Sequence, residues 1–241
     1  MNIVVPMGGL ANRFDQEGWV VPKQLVLCKG KPCIQWVIEN LTDVGAEHVY
    51  FVGRQDHAAL YNYDEMFKKL CPVPFTIIPL QKITGGAAET CLKAVPYINN
   101  NKGLMIINSD QWIDYDKPQF VRAVADCVDG FIQTFEDDIK GHFSYARTNE
   151  EGVIVEVKEK QHISTHATLI LYWKRGSDYC KYAQQMINKN IRFNNEFYNS
   201  LVFNEAISDG KIFNIVPARG CYSLGTPKEV EDFNNAKINF S

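Results

Sequence analysis

Two glycines, an arginine and a lysine near the start of the chain have the types and spacing that would hold a phosphate group. Gly8 and Gly9 follow a short apolar run, and Arg13 comes four residues after Gly9. Adjacent glycines leave backbone N–H groups open to an anion, and an arginine offers several donors to phosphate oxygens. Lys23 is a second cation that the chain can fold back onto this loop. We therefore predict an anion-binding loop over residues 7–13.

A carboxylate at the end of another apolar run has a complementary chemistry. Residues 104–107 are apolar, and Asp110 follows them closely. Open α/β sheets bind ligands at the carboxyl ends of their strands, so Asp110 is predicted to face the same crevice as the glycine loop. Mg²⁺ at phosphates is usually held by one or two carboxylates, with phosphate oxygens and water completing its shell. Asp110 is thus a candidate Mg²⁺ ligand; the alternative is a turn aspartate that caps the next segment.

Several classes of protein are excluded or disfavoured by the same sequence. The glycine loop is neither a Walker A loop nor a G-x-G-x-x-G dinucleotide loop. A formal net charge of −3 offers no basic field for a nucleic-acid backbone. On these patterns alone, the glycines could still mark a tight turn followed by a solvated arginine and lysine.

The elements that must position these residues alternate in the first half of the chain. Apolar runs predict strands at 3–6, 48–52, 75–79 and 104–107, and helical spacing predicts helices at 32–44, 56–70 and 86–95. This alternation is typical of βαβ units and a largely parallel sheet. The second half predicts strands at 130–135, 143–147, 153–157, 167–173 and 211–216, with helices at 177–189, 196–208 and 227–236.

The order of motifs in the first half resembles the start of the sugar-phosphate nucleotidylyltransferases. These enzymes carry a strand, a glycine-rich loop ending in arginine, a Pro-Lys-x-Leu element, and a Gly-Lys-Pro turn before a helix. The matching residues here are Gly8, Gly9, Arg13, Pro22-Lys23-Gln24-Leu25 and Gly30-Lys31-Pro32. The resemblance runs to about residue 233. It implies one domain over 1–241, a Rossmann-like (GT-A-like) α/β/α sandwich with a mixed, mostly parallel sheet, divided into a nucleotide-binding half (1–128) and an acceptor-binding half (129–241).

The resemblance also implies roles on the nucleotide side. The loop would grip a triphosphate, Arg13 would assist the leaving pyrophosphate, Lys23 would bind phosphate at the reacting centre, and Asp110 would hold Mg²⁺. The nucleotide-binding residues it implies are Met7, Gly8, Gly9, Leu10, Ala11, Asn12, Gln81, Gly85, Gly86 and Ser109. A similar glutamine and glycine pair contacts the nucleobase in the related enzymes. The alternative for 85–88 is a small-residue helix start packed on the sheet.

The acceptor side is less clearly marked. Glu159 and Lys160 resemble a family Glu-Lys pair beside the acceptor phosphate, with Lys158 as the near alternative; an exposed charged strand end would have the same pattern. Glu196 resembles an acceptor-contacting glutamate at a helix start, or it is simply a first-turn carboxylate. Ser223 stands where the family carries its second Mg²⁺ aspartate. That departure leaves the second metal contact open, with Glu196 as one candidate.

These features together predict an Mg²⁺-dependent nucleotidylyltransferase. CTP, or UTP and dTTP, would be joined to a phosphorylated small metabolite, and the loop and Ser223 look more like an offshoot associated with capsule or surface-polysaccharide synthesis. A metal-dependent glycosyltransferase is the first rival, although such enzymes use D-x-D and the sequence reads Asp110-Gln111-Trp112. A non-catalytic nucleotide-binding sensor is the second.

The remaining features predict a cytoplasmic protein. No signal-peptide pattern precedes the first strand, and no apolar run approaches the length of a membrane span. Seven cysteines without a C-x-x-C pair predict reduced structural thiols and no zinc site. We therefore expect no nucleic-acid or membrane partner, while a homo-oligomer stays open.

Overall fold

Short strands alternate with helices through the first half of the chain, as the sequence predicts. The computed structural model describes residues 1–9, 21–138 and 141–238. Its first half contains β1 (Asn2–Met7), a 3-10 helix (Lys23–Leu25), β2 (Leu27–Cys28), β3 (Lys31–Pro32), α1 (Cys33–Asn40), β4 (His48–Arg54), α2 (Gln55–Leu60), α3 (Tyr63–Leu70), β5 (Phe75–Leu80), α4 (Ala87–Leu92), α5 (Val95–Ile98), β6 (Leu104–Ile106), β7 (Gln111–Asp114) and α6 (Lys117–Asp126).

The second half is richer in antiparallel strands. It contains β8 (Gly130–Glu136), β9 (Ser144–Thr148), β10 (Ile154–Glu159), β11 (His166–Trp173), α7 (Gly176–Asn188), α8 (Val202–Ser208), β12 (Phe213–Pro217), β13 (Gly220–Ser223) and α9 (Pro227–Asn235). Among the described residues, no helix combines the length and the apolar character needed to cross a bilayer.

The strands of both halves join one mixed sheet, which confirms the predicted fold class. Nine of the described strands belong to it, in the order β10-β9-β11-β6-β1-β4-β5, with β8 paired to β11 and β12. β6, β1, β4 and β5 are mutually parallel, and β11 joins β6 in the antiparallel sense. The parallel half of the sheet therefore ends all its strands at one edge.

Alternate side chains of the central strand feed two apolar layers. Ile3 and Val5 of β1 pack with α1, α3 and α6 on one face, whereas Val4 packs with α4, α7 and α8 on the other. This is the side-chain alternation of a strand buried on both faces. Burying these two layers supplies most of the driving force for folding and fixes the sheet between helices.

A third, smaller apolar cluster fastens the end of the chain to its beginning. Trp36 of α1 and Phe233 of α9 meet edge to face with ring centroids 5.3 Å apart, and Val26, Cys28 and Leu224 are buried beside them. The ribbon formed by β7 and β13 lies next to this cluster, with Ser223 opposite Gln111. The C-terminal helix is thereby held beside the segment that follows β6.

Four of the predicted helices have different boundaries in the structure, and the one predicted over 32–44 ends at Asn40. The helix predicted over 56–70 is two helices, α2 and α3, because Asn62 between them adopts a left-handed conformation with φ of 47°. The helix predicted over 86–95 ends at Leu92, and a separate turn of helix carries Pro96 in its first turn. The helix predicted from 196 begins at Val202 instead.

The late start of α8 has a local cause. Asn194 and Asn195 both have positive φ values, 46° and 64°. Asparagine tolerates this left-handed conformation better than most residues, and two in a row make a tight turn rather than a helix. Phe193 and Glu196 then pair backbone to backbone across that turn. Glu196 therefore lies in a turn, and the expected first-turn helix position is wrong.

Candidate active site

The order of the parallel strands creates a crevice beside β1. The chain runs from β1 outward to β4 and β5, and then returns to place β6 on the other side of β1. The loops that follow β1 and β6 therefore separate at the carboxyl edge of the sheet. Such a reversal of strand order is where open α/β sheets bind their ligands. Gly8 and Gly9 follow β1, and Asp110 follows β6, so the fold directs both segments to this edge.

A lysine and an aspartate from distant parts of the chain meet at this edge. The Nζ atom of Lys23 lies 2.5 Å from Oδ2 of Asp110, and their side chains are 20% and 23% exposed. The 3-10 helix supplies the lysine, and the turn between β6 and β7 supplies the aspartate. A charge-assisted contact in such a half-buried place holds both groups in position while a ligand can still reach them.

Gly8 and Gly9, at the described start of the glycine loop, differ in the space around them. A Cβ added to Gly8 would lie 2.6 Å from Cδ1 of Leu80, whereas one added to Gly9 would have no atom of the described residues within 4 Å. The side chain of Met7 is buried in the core, so its backbone alone can face the crevice. The other predicted loop residues, Leu10, Ala11, Asn12 and Arg13, lie outside the described residues.

A second carboxylate lies close to Asp110. A Cβ built on Gly225 would fall 3.0 Å from Oδ2 of Asp110 and 3.5 Å from Oε2 of Glu229. The backbone N–H of Leu224 also donates to the carbonyl of Asp110 at 2.7 Å. The turn before α9 thus brings Glu229 beside the end of β6, near the position that Ser223 occupies on β13.

Two buried cysteines near Asp110 do not supply thiolates to this site. Burial, together with the negative charges of Asp110 and Glu229, raises the pKa of the Cys221 thiol. The pKa of Cys33 is also raised, first by its contact with Cys28 and then by burial. Within residues 1–9, 21–138 and 141–238, no group of three or more His, Cys, Asp or Glu side chains is close enough to hold a metal. A cation here would depend on carboxylates and a ligand.

The segment after β5 borders a cavity of about 700 Å³. Gln81 and Lys82 line it from β5, and Arg54 lines it from the end of β4. Nε of Arg54 donates to Oδ1 of Asp56 at 3.0 Å, which fixes the guanidinium at the cavity wall. A cavity of this size at the carboxyl edge of parallel strands can hold a small ligand. Ser109, also predicted to bind nucleotide, is only 3% exposed.

The two glycines before α4 are small because protein packs against them. A Cβ on Gly86, which has φ of 141°, would lie 2.6 Å from the carbonyl oxygen of Phe197. The N–H of Phe197 donates to Gly85, and the N–H of Ala88 donates to Phe197, each at 2.9 Å. Close packing against the backbone of Phe197, rather than against the sheet, accounts for Gly86. These contacts, called here the Gly86–Phe197 joint, also connect residues 85–88, which are predicted to bind the nucleobase, to the segment that carries Glu196.

A buried glutamate forms the centre of the predicted acceptor side. Glu159 is 5% exposed, and the hydroxyls of Ser144 and Ser200 both donate to its Oε2. Burial raises the pKa of Glu159, while the two serines and Lys160 act in the opposite direction and the charge of Glu196 reinforces the rise. Since its carboxylate is held by these hydroxyls, Glu159 is well placed to orient its neighbours.

The neighbouring lysine faces a tyrosine. Nζ of Lys160 lies 3.4 Å from the hydroxyl oxygen of Tyr198 and 5.6 Å from its ring centroid. Lys158 instead pairs with Glu156 at 3.2 Å on the same strand. Glu196 is exposed and interacts electrostatically with Glu159. The structure therefore gathers Glu159, Lys160 and Glu196 into one cluster and directs Lys158 elsewhere.

The family follows from a comparison with known sequences. A family model described as nucleotidyl transferase matches residues 4–210. The chain belongs to the nucleotidyl transferase family. It is accordingly a nucleotidyltransferase, and the matched span includes the glycine loop, Lys23, Asp110 and the Glu159–Lys160 pair.

Solved structures with the same fold have low sequence identity to this nucleotidyltransferase. A nucleoside-diphosphate-sugar pyrophosphorylase from Vibrio cholerae RC9 is 20% identical with a TM-score of 0.83, covering 97% of this chain and 100% of its own. A UDP-glucose pyrophosphorylase complexed with UDP-glucose is 18% identical with a TM-score of 0.78, covering 97% of each chain. A Bacillus anthracis protein assigned as a glucose-1-phosphate thymidylyltransferase, in complex with a sucrose, is 18% identical with a TM-score of 0.77, covering 100% of this chain and 97% of its own.

Several residues of the nucleotidyltransferase site have no clear mark in the sequence. Tyr198, Ser144 and Ser200 reach the acceptor cluster through pairing of distant segments. Glu229 follows Thr226 by three residues, which is the spacing of an ordinary helix capping box, so sequence alone assigns it to the helix start. Only the ribbon of β7 and β13 brings it beside Asp110.

Proposed function

We propose that this nucleotidyltransferase couples a nucleoside triphosphate to a phosphorylated small metabolite and releases pyrophosphate. The observation that carries the proposal is the Lys23–Asp110 pair at the strand-order reversal of the sheet, at the edge to which β1 also leads Gly8 and Gly9. The printed names of structural relatives, which include a nucleoside-diphosphate-sugar pyrophosphorylase and a UDP-glucose pyrophosphorylase, support a sugar 1-phosphate or a related phosphate as the acceptor class.

The proposed reaction needs no nucleophile from the protein. An anionic oxygen of the acceptor phosphate attacks the α-phosphorus of the triphosphate, the bond to the bridging oxygen of the β-phosphate breaks, and pyrophosphate leaves with that oxygen. The protein contributes position and charge. Lys23 reduces the repulsion between the two phosphate groups, and Gly8 and Gly9 bring backbone donors to the triphosphate. Arg13 is proposed to stabilise the leaving pyrophosphate.

The proposed site suits Mg²⁺ as the cofactor. Asp110 offers a half-exposed carboxylate, and a cradle that a Cβ on Gly225 would fill lies between it and a second buried carboxylate oxygen. Oxygen ligands of this kind, completed by phosphate and water, are what Mg²⁺ prefers. When bound, the ion would neutralise charge that develops on the α-phosphate oxygens.

The two ligands of the proposed reaction would lie on opposite sides of the Gly86–Phe197 joint. Gln81, Gly85, Gly86 and Ser109 are proposed to line the nucleotide side, within a nucleotide-binding half at 1–128. Lys160 is proposed to meet the acceptor phosphate, supported by Tyr198 and by Glu159, within an acceptor-binding half at 129–241. Glu196 is proposed as a further acceptor contact, because it belongs to the same cluster.

The finer identity of the substrates is also part of the proposal. We favour a pyrimidine nucleotide, CTP or UTP and dTTP, and a role in supplying an activated precursor for capsule or surface polysaccharide. The departure at Ser223 supports an acceptor outside the commonest hexose phosphates, and the enzyme is proposed to act in the cytoplasm.

A matrix of substrates tests this proposal directly. The four ribonucleoside triphosphates and dTTP would each be incubated with Mg²⁺ and a panel of phosphorylated sugars, polyols and amino alcohols, and pyrophosphate release would be measured. We expect one nucleotide and one acceptor class to give turnover that Asp110→Asn removes. Release of a nucleoside diphosphate when nucleotide sugars replace the triphosphates in the same panel would instead favour a glycosyltransferase, and nucleotide binding by calorimetry without turnover across the panel would favour a sensor.

A further inference from the structure

One buried carboxylate oxygen beside the Lys23–Asp110 pair has no partner in the described part of the chain. Oε2 of Glu229 is shielded from solvent and has no hydrogen bond within residues 1–9, 21–138 and 141–238. Leaving an anionic oxygen without a donor or water is costly, so such atoms usually mark an ion or ligand. The oxygen therefore requires an explanation from its surroundings.

Those surroundings are negative rather than positive. One point in space, the place that a Cβ on Gly225 would take, lies 3.0 Å from Oδ2 of Asp110 and 3.5 Å from Oε2 of Glu229. Lys23 contacts the Asp110 side of this pair. Among the described residues, these two carboxylates and one lysine leave an excess negative charge, which a cation bound by both carboxylates would balance.

Helix capping does not account for this oxygen. Thr226 is the N-cap of α9, and its Oγ1 accepts the N–H of Glu229 at 3.2 Å, so the cap is formed by the threonine side chain. Glu196 belongs to the cluster around Glu159 and has no described contact with Asp110. Ser223 lies opposite Gln111, whose Nε2 is itself a buried donor without a described partner. Glu229 is thus the carboxylate that the fold brings beside Asp110.

We propose that Glu229 is the second carboxylate ligand of the divalent cation held by Asp110, replacing the aspartate that Ser223 does not provide. The inference deepens the proposed function and rests on its use of a divalent metal. A Cβ at Gly225 would approach oxygens of both carboxylates, so the glycine leaves this space open to an ion. The ion is thereby tied to the C-terminal helix, which the third apolar cluster fastens to the start of the chain.

Binding of Mn²⁺ alone tests the assignment without any turnover. Free Mn²⁺ would be followed by its electron paramagnetic resonance signal during titration of the wild-type chain, Glu229→Gln, Asp110→Asn and Glu231→Gln. Changing groups around a metal typically costs 10- to 100-fold in affinity, so we expect about a tenfold weaker dissociation constant or more for Glu229→Gln. Asp110→Asn should weaken binding at least as much. Glu231, an exposed residue of the same helix, should give wild-type binding.

A glycine pair provides a second test that removes no carboxylate. Gly225→Ala should weaken Mn²⁺ binding because its methyl group would occupy the space between the two oxygens. Gly220→Ala, on the adjoining strand, adds a methyl group with nothing within 4 Å and should bind normally. This pair keeps the proposal testable if Glu229→Gln does not fold.

Thermal unfolding separates a ligand from a structural cap. Without metal, Glu229→Gln relieves repulsion with Asp110, so we expect its Tm to equal or exceed the wild-type value. Mg²⁺ should raise the Tm of the wild-type chain and have less effect on the variant, because a ligand stabilises only the state that binds it. A lost cap would instead lower the Tm of the metal-free variant and leave its Mg²⁺ response intact.

The outcomes distinguish this proposal from the proposed reaction. Wild-type Mn²⁺ affinity in Glu229→Gln, an equal loss in Glu231→Gln, or no saturable Mn²⁺ binding by the wild-type chain would overturn the assignment even if pyrophosphate is released. Conversely, Mn²⁺ binding that depends on Glu229, in a chain that releases no pyrophosphate with any substrate pair, would uphold the metal site and reject the reaction.

Discussion

The proposed nucleotide side and the proposed acceptor side of this nucleotidyltransferase organise their charges differently. Lys23 and Asp110 meet in a half-buried ion pair at the strand ends, next to a carboxylate oxygen that has no hydrogen-bond partner among the described residues. Glu159, in contrast, is buried and held by two serine hydroxyls. The first arrangement leaves charge for a ligand and a cation to complete. The second is completed largely by the protein and is suited to orienting its neighbours.

Removing the lysine of the nucleotide side should have the largest effect. Lys23→Gln deletes the positive charge beside Asp110, where the proposed reaction brings two phosphate groups together. By analogy with the loss of one charge-stabilising donor in other enzymes, we expect the rate of pyrophosphate release to fall about 100-fold or more, or about 2.7 kcal/mol in activation free energy. Steady-state kinetics with the substrates found by the panel would measure it.

A second lysine provides the matched control for Lys23→Gln. Lys31 is held by Glu39 at 2.7 Å and lies over the ring of Trp36, outside the Lys23–Asp110 pair. Lys31→Gln should retain a rate within a few-fold of the wild-type chain. Equal losses in both variants would attribute the effect to the lost fold of this segment, and little loss in Lys23→Gln would remove the lysine from the mechanism.

The joint between the two sides should be the next most sensitive position. Gly86→Ala places a methyl group into the backbone of Phe197 at a positive φ. Backbone strain and overpacking each cost about 1–3 kcal/mol, so we expect a loss of about 2–4 kcal/mol in unfolding free energy. Chemical denaturation would measure the change.

A second glycine, Gly152, allows the steric part of the loss in unfolding free energy to be measured separately. Gly152 also has a positive φ, 78°, but a Cβ there would have nothing within 4 Å. Gly152→Ala should therefore cost only the conformational strain, about 1–2 kcal/mol. If Gly86→Ala is no worse than Gly152→Ala, the Phe197 segment moves aside easily, and the two sides are less firmly coupled than the structure indicates.

The two sides also differ in how far the sequence predicts them. The largely parallel sheet and the crevice at its edge follow from local patterns, because apolar runs alternate with helices and the carboxyl ends of parallel strands share an edge, whereas the strand order does not. Asp110 was predicted to face the glycine loop from its position after such a run, and the structure directs both segments to one edge. The 2.5 Å contact with Lys23 depends on how the intervening chain folds back, which spacing alone does not determine.

Contacts of high sequence separation account for what the sequence did not predict. Ser200 reaches Glu159 across 41 residues, and Lys160 reaches Tyr198 across 38. Two consecutive left-handed asparagines displaced the start of α8, since helical spacing in the following residues masks a turn. The spacing of Glu229 after Thr226 predicts a helix cap, and the structure contains that cap. The proximity of Glu229 to Asp110 depends on tertiary pairing, which the sequence does not show.

On the acceptor side, Lys160 is expected to act selectively. Lys160→Ala removes the cation beside Tyr198 and should raise the KM for the acceptor about tenfold, equivalent to about 1.4 kcal/mol, with little change in the KM for the nucleotide. Initial rates with each substrate varied in turn would measure both constants. Lys158→Ala is the control, because Lys158 pairs with Glu156 and should change neither constant. A rise in both KM values for Lys160→Ala would contradict an acceptor-specific role.

The smallest effect concerns the pH dependence of stability at Glu159. Burial raises its pKa above the ordinary value of 4.5, so the folded state binds the proton more tightly than the unfolded state. The stability that it contributes is full below about pH 4.5 and is lost as pH rises through the folded pKa. Glu159→Gln does not titrate at this position, and its stability relative to the wild-type chain should rise from pH 4 to pH 7. Glu156, whose pKa is lowered first by Arg147 and then by Lys158, supplies a control of opposite sign: its stabilisation is present at neutral pH and is lost as pH falls. Thermal melts of Glu159→Gln and Glu156→Gln from pH 4 to pH 7 should therefore diverge in opposite directions from the wild-type profile. A Glu159→Gln profile parallel to the wild-type profile would mean that the hydroxyls of Ser144 and Ser200 fully offset the burial of Glu159.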